Sequence, residues 1–210
     1  VTIWLGLEQL ETRYGTVVEG TALETRHLGF TISPHEGCGV EEAVRSIEAR
    51  GGESVVLTLG PAEAVEQLRD AMALGIDRAI HLQTDGAEWD GEATAAAIVE
   101  AIRADEAAAG RFDLVFFGNE SADASGYQVG LRVARALGRP CVTGLKGVKV
   151  EGASVRCEQD AGGGRDVYVV PVPAVLSMRT SPPCWSTILR TMERPRPVPP
   201  SLVVKNGSNS

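Results

Sequence analysis

The chain has 210 residues, of which 43% are hydrophobic, and a formal net charge of −8 at pH 7. This length allows one sizeable core and does not require a second domain. The lysines and arginines are scattered along the sequence, which argues against nucleic acid or an anionic membrane surface as a partner. No apolar run is long enough to span a bilayer and the first residues do not resemble a signal peptide, so we expect a cytoplasmic protein.

The cysteines show no pattern typical of a metal site or a disulfide framework. They have no CxxC pairing and no ligand-like spacing relative to the histidines. We therefore predict no metal site and four reduced, mostly buried thiols, which are Cys38, Cys141, Cys157 and Cys184.

Short apolar segments alternate with segments of helical period. The apolar segments predict strands at Thr2–Leu7, Ser54–Gly60, Arg78–Thr84 and Phe112–Gly118. The intervening segments predict helices at Gly39–Arg50, Ala62–Leu74, Gly91–Ala109 and Gln128–Leu137. This alternation predicts an α/β fold with a doubly wound, mainly parallel sheet between two layers of helices.

The pattern changes after Cys141. The segment "VKVEGASVRCE" predicts a hairpin that turns at Gly152–Ala153, and "AGGGRDVYVVPVP" predicts a further turn and strand. We expect this part to be an antiparallel addition at the C-terminal side of the core. The last residues are Pro-rich and then polar, so we predict one domain over residues 1–195 and an extended or disordered tail over residues 196–210.

The stretch "GNESADASGYQVG", Gly118 to Gly130, follows a predicted buried strand and precedes a predicted helix. Backbone N–H groups and a helix N-terminus in such a loop suit a phosphate. Neither a P-loop motif nor a dinucleotide-binding fingerprint is present, so the loop alone fits a nucleotide-binding loop and an ordinary strand-to-helix turn equally well. No catalytic motif is recognisable, and we predict no catalytic residues.

Several segments together resemble the beta subunit of electron transfer flavoproteins. Val40–Arg45, Gly60–Pro61 and Ala71–His81 match the first half of that family's pattern. "DLVFFGNESADASGYQVGLRVARALGRPCVTGL" resembles its nucleotide loop and the segment that follows, and "AVLSMRTSPPCWSTILRTMERPRP" resembles its later part. The likeness extends over nearly the whole chain, with the motifs in the same order.

The resemblance implies a fold like that of the adenine nucleotide alpha hydrolases and a role in electron transport. A family member pairs with an alpha subunit that holds most of an FAD site, and it binds AMP itself, or a second FAD in electron-bifurcating relatives. The pair transfers electrons from a donor dehydrogenase to a quinone reductase or another acceptor. An alternative from another functional class is a nucleotide-binding paralogue of the same fold that does not transfer electrons and acts as a binding or regulatory module.

The resemblance also implies which residues bind the nucleotide and the partner dehydrogenase. The nucleotide-binding positions are Gly6, Ser33, Pro34, His35, Glu36, Leu59, Gly118, Asn119, Glu120, Ser121, Ala122, Asp123, Ala124, Ser125, Gly126, Tyr127, Gln128 and Val129. The docking positions for the dehydrogenase are Trp185, Ile188 and Leu189.

Four of these positions depart from the family's pattern. Ser33 replaces an Asn, His35 replaces an aromatic residue, and Asn119–Glu120 replaces Lys-Gln. The position of His35 implies a place near the flavin of the alpha subunit, and a solvated loop histidine is the alternative.

Overall fold

A computed structural model describes residues 2–7, 10–12, 18–19, 22–23, 30–85, 89–120, 126–179 and 202–206. These residues form an α/β structure in which helices cover both faces of one mixed, mostly parallel sheet, as the sequence predicts. The elements in chain order are β1 (Thr2–Leu7), β2 (Leu10–Thr12), β3 (Val18–Glu19), β4 (Ala22–Leu23), β5 (Phe30–Ile32), α1 (Pro34–Arg50), β6 (Glu53–Gly60), a 3₁₀ turn (Ala62–Ala64), α2 (Val65–Ala73), β7 (Arg78–Gln83), α3 (Gly91–Ala109), β8 (Leu114–Gly118), α4 (Val129–Leu137), β9 (Cys141–Glu151), β10 (Ser154–Ala161), β11 (Gly164–Pro171), β12 (Ala174–Met178) and β13 (Leu202–Asn206).

Within the described ranges, nine strands form the main sheet in the order β11-β10-β9-β12-β8-β1-β6-β7-β13. β1 pairs in parallel with β6 on one side and with β8 on the other. The chain first builds the sheet outward from β1 through β6 to β7, and then returns through α3 to place β8 on the opposite side of β1. This reversal creates a topological switch point between β1 and β8, and ligands of open α/β sheets bind beyond the carboxyl ends of the strands at such a point.

The C-terminal addition has the predicted hairpin. β9 and β10 are antiparallel and turn at Gly152–Ala153, and β11 continues the antiparallel order. β12 then inserts between β8 and β9 and is parallel to both. At the opposite edge β13 pairs in parallel with β7, so a strand lies inside the predicted tail.

Two hydrophobic cores lie on opposite faces of the sheet. Leu114 and Phe116 of β8 enter the core formed with α1 and α2, whereas Val115 and Phe117 enter the core formed with α3 and α4. All four side chains are fully buried. Successive side chains of a strand point to opposite faces, so a strand between two helix layers must be apolar at every position. This explains why the strand predictions rested on continuous apolar runs.

Some boundaries differ from the predicted ones, and the largest difference is at α1. The helix begins at Pro34 rather than Gly39, because Ser33 caps it and proline fits the first helical position. The segment after Pro61 starts as the 3₁₀ turn before it becomes α2. α3 begins and ends at the predicted residues, with the side chain of Asp90 accepting hydrogen bonds from two backbone N–H groups.

The expectation of four reduced cysteines is wrong for Cys38, which is in a disulfide bond. Cys141 and Cys157 are free thiols. Burial raises the pKa of each of these two thiols to about 11. Both thiols therefore stay protonated throughout the neutral range, since an apolar environment disfavours the thiolate.

This protonation predicts slow alkylation of Cys141 and Cys157 in the native chain. With a pKa of about 11, only about one thousandth of each thiol is ionised at a pH near 8, and the thiolate is the reactive form. Iodoacetamide labelling followed by peptide mass analysis should show both cysteines reacting far more slowly in the folded chain than in urea. Equal rates in the two conditions would contradict the burial of these thiols.

Candidate functional site

Among the described residues, several of the predicted nucleotide positions lie near the switch point. Gly6 lies near the carboxyl end of β1, paired with Phe117, and Gly118 is the last residue of β8. The N-terminus of α1 lies against Gly118, and the start of α4 lines a cavity together with Gly118, so both helix starts lie at this rim. The structure thus brings together segments that are more than a hundred residues apart in the sequence.

The N-terminus of α1 is fixed by its cap. The Oγ of Ser33 accepts a hydrogen bond of 3.3 Å from the backbone N–H of Glu36, and Pro34 is the first helical residue. Ser33 and Glu36 are both buried. A serine cap with proline at the first position defines a helix start sharply, so the first turn of α1 is a rigid wall of the rim.

Gly118 allows this wall to lie directly against β8. A Cβ at position 118 would lie 2.7 Å from Cγ of Glu36, 3.1 Å from its backbone N and 3.4 Å from Cβ of His35. The first distance is a steric overlap and the second is tighter than normal contact, so a side chain at 118 would require Glu36 and the first turn of α1 to shift. Gly118 therefore determines how closely α1 approaches the loop.

Two further contacts anchor the loop entrance to the neighbouring strands. The Oγ of Ser177 in β12 donates a buried hydrogen bond of 2.8 Å to the carbonyl of Gly118. The Oδ1 of Asn119 accepts a hydrogen bond of 2.9 Å from the backbone N–H of Gly144 in β9. These contacts hold Gly118 and Asn119 in one orientation and thereby position Glu120, the next residue.

Glu120 lies between the start of α1 and the end of the loop. Its Oε1 is 3.6 Å from Nε2 of His35, and both side chains are mostly buried. Hydrogen bonding to Glu120 is the main cause that raises the pKa of the Tyr127 phenol; desolvation and the Glu120 charge act in the same direction, and Arg179 opposes them. The resemblance placed His35 either near a flavin or in solvent, and the structure places it against Glu120.

Tyr127 is also unusual in its backbone. Its φ is 52°, in the left-handed region, and it is the one non-glycine residue with positive φ in the described part of the chain. Bulky residues rarely adopt this conformation, and such strain is concentrated at functional sites. Its side chain is half exposed.

The start of α4 supplies backbone donors without a side-chain cap. Gln128 occupies the N-cap position but makes no capping hydrogen bond, and its Oε1 instead accepts from the guanidinium of Arg132 at 3.2 Å. Gly130 lets the helix pack tightly on Phe117, because a Cβ there would lie 3.3 Å from the ring. Within the described residues no side chain caps the first N–H groups of α4, and uncapped N–H groups at a helix start can bind water or an anion.

A small cavity opens beside this helix start. Its volume is about 60 Å³, and it is lined by Gly118, Asn119, Tyr127, Val129, Gly130, Leu131, Thr143 and Ser177. Four of these residues were not among the predicted positions: Gly130, Leu131, Thr143 and Ser177. Ser177 could have been suspected, because it is a hydroxyl in the otherwise apolar strand "AVLSM", whereas nothing local in the sequence indicates Thr143.

Leu59 lies near the carboxyl end of β6, the strand that pairs with β1. It is half-buried in β6, and the carbonyl of the adjacent Gly60 accepts from the backbone N–H of Thr84 at 2.9 Å and lies 3.1 Å from Nε2 of His81. These contacts join β6 to β7 at the rim. Leu59 is thus on the expected edge of the sheet.

Some predicted positions cannot be placed. Ser121 to Ser125, which include Ala122, Asp123 and Ala124, lie outside the described residues, as do the docking positions Trp185, Ile188 and Leu189. Among the residues that are described, no group of three or more His, Cys, Asp or Glu side chains could hold a metal ion. No helix in the described ranges is long and apolar enough to cross a membrane.

Comparison with known proteins identifies the family. A model of the electron transfer flavoprotein domain matches residues 21–189. The chain is 35% identical over 156 residues to the electron transfer flavoprotein subunit beta of Syntrophomonas wolfei subsp. wolfei. That match covers 73% of this chain and 59% of the relative. It is 27% identical over 169 residues to the same subunit of Bacillus subtilis. That match covers 80% of this chain and 64% of the relative. It is 34% identical over 152 residues to Protein FixA of Azorhizobium caulinodans. That match covers 70% of this chain and 54% of the relative.

The fold thus defines a doubly wound α/β protein with two helix N-termini at the switch point of its sheet. The chain belongs to the electron transfer flavoprotein beta subunit family, which confirms the resemblance found in the sequence. It spans about three fifths of the length of the curated relatives it matches.

Proposed function

We propose that this chain is the beta-type subunit of an electron transfer flavoprotein and binds an adenine nucleotide, AMP, at the rim between β1 and β8. The proposal rests above all on the arrangement at Gly118, where the capped start of α1 lies so close to β8 that an added Cβ would lie 2.7 Å from Cγ of Glu36. The uncapped start of α4 lies at the same rim. Helix N-termini at a switch point suit the phosphate of a nucleotide.

We further propose that an alpha-type partner holds FAD at the interface between the two chains. The relatives are named as beta subunits, and such a name implies a counterpart. In this arrangement the flavin supplies the redox chemistry, and the present chain binds, positions and shields it. A donor dehydrogenase would dock at Trp185, Ile188 and Leu189, and the cytoplasm stays the predicted location.

The rim offers groups of both charges to a ligand. The helix starts and His35 favour an anion, whereas the carboxylate of Glu120 disfavours one. The contact between His35 and Glu120 reduces this repulsion whenever the imidazole is protonated. This balance of charges supports a nucleotide phosphate held mainly by backbone N–H groups at the rim.

The experiment that tests this proposal is co-expression of the chain with an alpha-type partner. The two chains should co-purify with a visible flavin spectrum, and heat release followed by mass analysis should give AMP in a one-to-one ratio with the beta-type chain. Identification of FAD in place of AMP would instead support the electron-bifurcating type. A colourless chain that binds a nucleotide but no partner would favour the regulatory paralogue, and the absence of both nucleotide and flavin would refute the proposal.

A further inference from the structure

A groove with a volume of about 550 Å³ lies between α1 and the hairpin formed by β9 and β10. None of the residues that line it is one of the predicted nucleotide positions. Among the described residues, five cationic side chains line this hairpin groove, and these are Arg45, Arg50, Lys146, Lys149 and Arg156. Two carboxylates, Glu42 and Glu158, line it as well.

The fold gathers these cations from distant parts of the sequence. Two of them belong to the second half of α1, two to β9 and one to β10. The guanidinium of Arg50 donates a hydrogen bond to the carbonyl of Val150, which joins the end of α1 to β9 and connects the two walls of the groove. The chain as a whole has 20 Lys and Arg residues against 28 Asp and Glu residues. The lining of the hairpin groove therefore has the opposite sign to the whole protein.

Two of the cations lie directly opposite each other in the hairpin. Lys149 of β9 and Arg156 of β10 are register partners in the antiparallel pair. Like charges at opposite positions of paired strands are destabilising. Residue choices that conflict with local stability are expected mainly at functional sites. This pair of cations thus favours a ligand that carries negative charge.

Both of these cations already have a carboxylate neighbour within the chain. Nζ of Lys149 lies 2.8 Å from Oε1 of Glu151, and Nη2 of Arg156 lies 3.0 Å from Oε1 of Glu158. The first pair is exposed to solvent, since its side chains are 72% and 43% exposed. Exposed ion pairs contribute little to stability. An ammonium has three N–H donors and a guanidinium has five, so one such contact leaves further donors for a ligand.

The form of the hairpin groove fits a protein segment better than a small molecule or nucleic acid. Sites for small molecules are mostly apolar and bury most of the ligand, whereas charged side chains that reach solvent line this groove. The net charge of −8 repels a long polyanion such as nucleic acid. A short acidic segment contacts the groove alone and avoids the remaining acidic surface.

We propose that the hairpin groove is an interaction surface for an acidic segment of a partner protein. Lys149 and Arg156 bind carboxylates of that segment, and the guanidinium of Arg156 can hold one of them through two parallel hydrogen bonds. Arg50 keeps the α1 wall of the groove against β9. This inference goes beyond the proposed function, because it depends on neither the nucleotide nor the flavin.

The test measures the binding of a fluorescein-labelled oligoglutamate peptide to the full chain by fluorescence anisotropy at low ionic strength. The peptide should bind, and added salt should weaken binding because it screens exposed charges. Lys149→Gln combined with Arg156→Gln should raise the Kd about tenfold, as expected for the loss of two exposed ion pairs. The thermal midpoint of this double variant should stay the same or rise, since the two like charges no longer face each other.

Lys149→Gln alone keeps the test valid if the double variant does not fold. It changes one exposed side chain and should raise the Kd about threefold. Arg69→Gln combined with Arg135→Gln is the matched control for the double variant. It removes the same charge from exposed positions on α2 and α4 that do not line the groove. Its Kd should equal that of the wild type, and an oligoglutamine peptide of the same length should not bind.

Three results would overturn the inference. The first is a wild-type chain that does not bind the oligoglutamate peptide at low ionic strength. The second is an equal rise in Kd in the groove variant and in its matched control, because net charge alone would then account for binding. The third is a single-stranded DNA oligonucleotide that binds to the groove as tightly as the peptide does, since the groove would then accept polyanions in general.

Discussion

Glu106→Gln should lower the free energy of unfolding by about 3 kcal/mol, the lower end of the cost of breaking a buried ion pair. Glu106 near the end of α3 pairs with Arg139, which follows α4, and its Oε1 also accepts from the backbone N–H of Phe112 at 2.9 Å. The side chain of Arg139 is only 2% exposed, whereas that of Glu106 is 17% exposed. Loss of the carboxylate therefore leaves a buried cation without its counter-charge.

Arg139→Met should lower the free energy of unfolding by less than Glu106→Gln does. The Nε and Nη1 atoms of Arg139 have no hydrogen-bond partner among the described residues, so the methionine variant removes buried donors that are already unsatisfied. The carboxylate that remains in this variant can be partly hydrated. Urea unfolding followed by circular dichroism measures both variants, and a larger loss for Arg139→Met than for Glu106→Gln would contradict this account.

The matched control for this pair is Glu92→Gln. Glu92 pairs with Arg132 at 3.4 Å, and the two side chains are 80% and 43% exposed. Exposed ion pairs contribute little to stability, so this variant should change the free energy of unfolding by no more than about 0.5 kcal/mol. A loss comparable to that of Glu106→Gln would show that burial is not what distinguishes the two pairs.

The sequence predicts the central sheet well because its strands are buried on both faces. The segment Leu114–Gly118 is apolar at each of its first four positions, and only a strand between two helix layers needs this. The α1 start was missed because Pro34 to Gly37 carry no apolar periodicity. Ser33 and Pro34 do form a cap signal, which would have placed the boundary correctly.

The location of the candidate site was predictable, but its geometry was not. The rule for parallel sheets places Leu59 and Gly118 on one edge from the chain order alone. The contacts of Ser177 and Gly144 depend on where β12 and β9 pair in the sheet, and they are almost sixty and twenty-five residues away from their partners in sequence. The left-handed backbone of Tyr127 has no sequence signal, because glycine is the residue that normally marks it.

Gly118→Ala should weaken the fold and also the AMP retention that we propose for this rim. The added Cβ would lie 2.7 Å from Cγ and 3.1 Å from the backbone N of Glu36. That N–H is the one bonded to the cap oxygen of Ser33, so relief of the overlap moves the first turn of α1 as a unit. We expect a loss of about 1–3 kcal/mol in the free energy of unfolding, as for other overpacked sites. On the proposed function, the wider gap between α1 and β8 should also make AMP dissociate faster.

Gly126→Ala is the matched control for this variant, since it adds the same methyl group to the same loop. Nothing described lies within 4 Å of a Cβ at position 126, and its φ is not in the left-handed region. Alanine there should leave stability unchanged or raise it slightly, because it restricts the unfolded chain. Urea unfolding measures the stability of both variants, and the exchange of bound labelled AMP for unlabelled AMP, in the complex with the alpha-type partner, measures AMP release. If Gly118→Ala matched Gly126→Ala in stability and AMP release, the close approach of α1 to β8 would not be what forms the site.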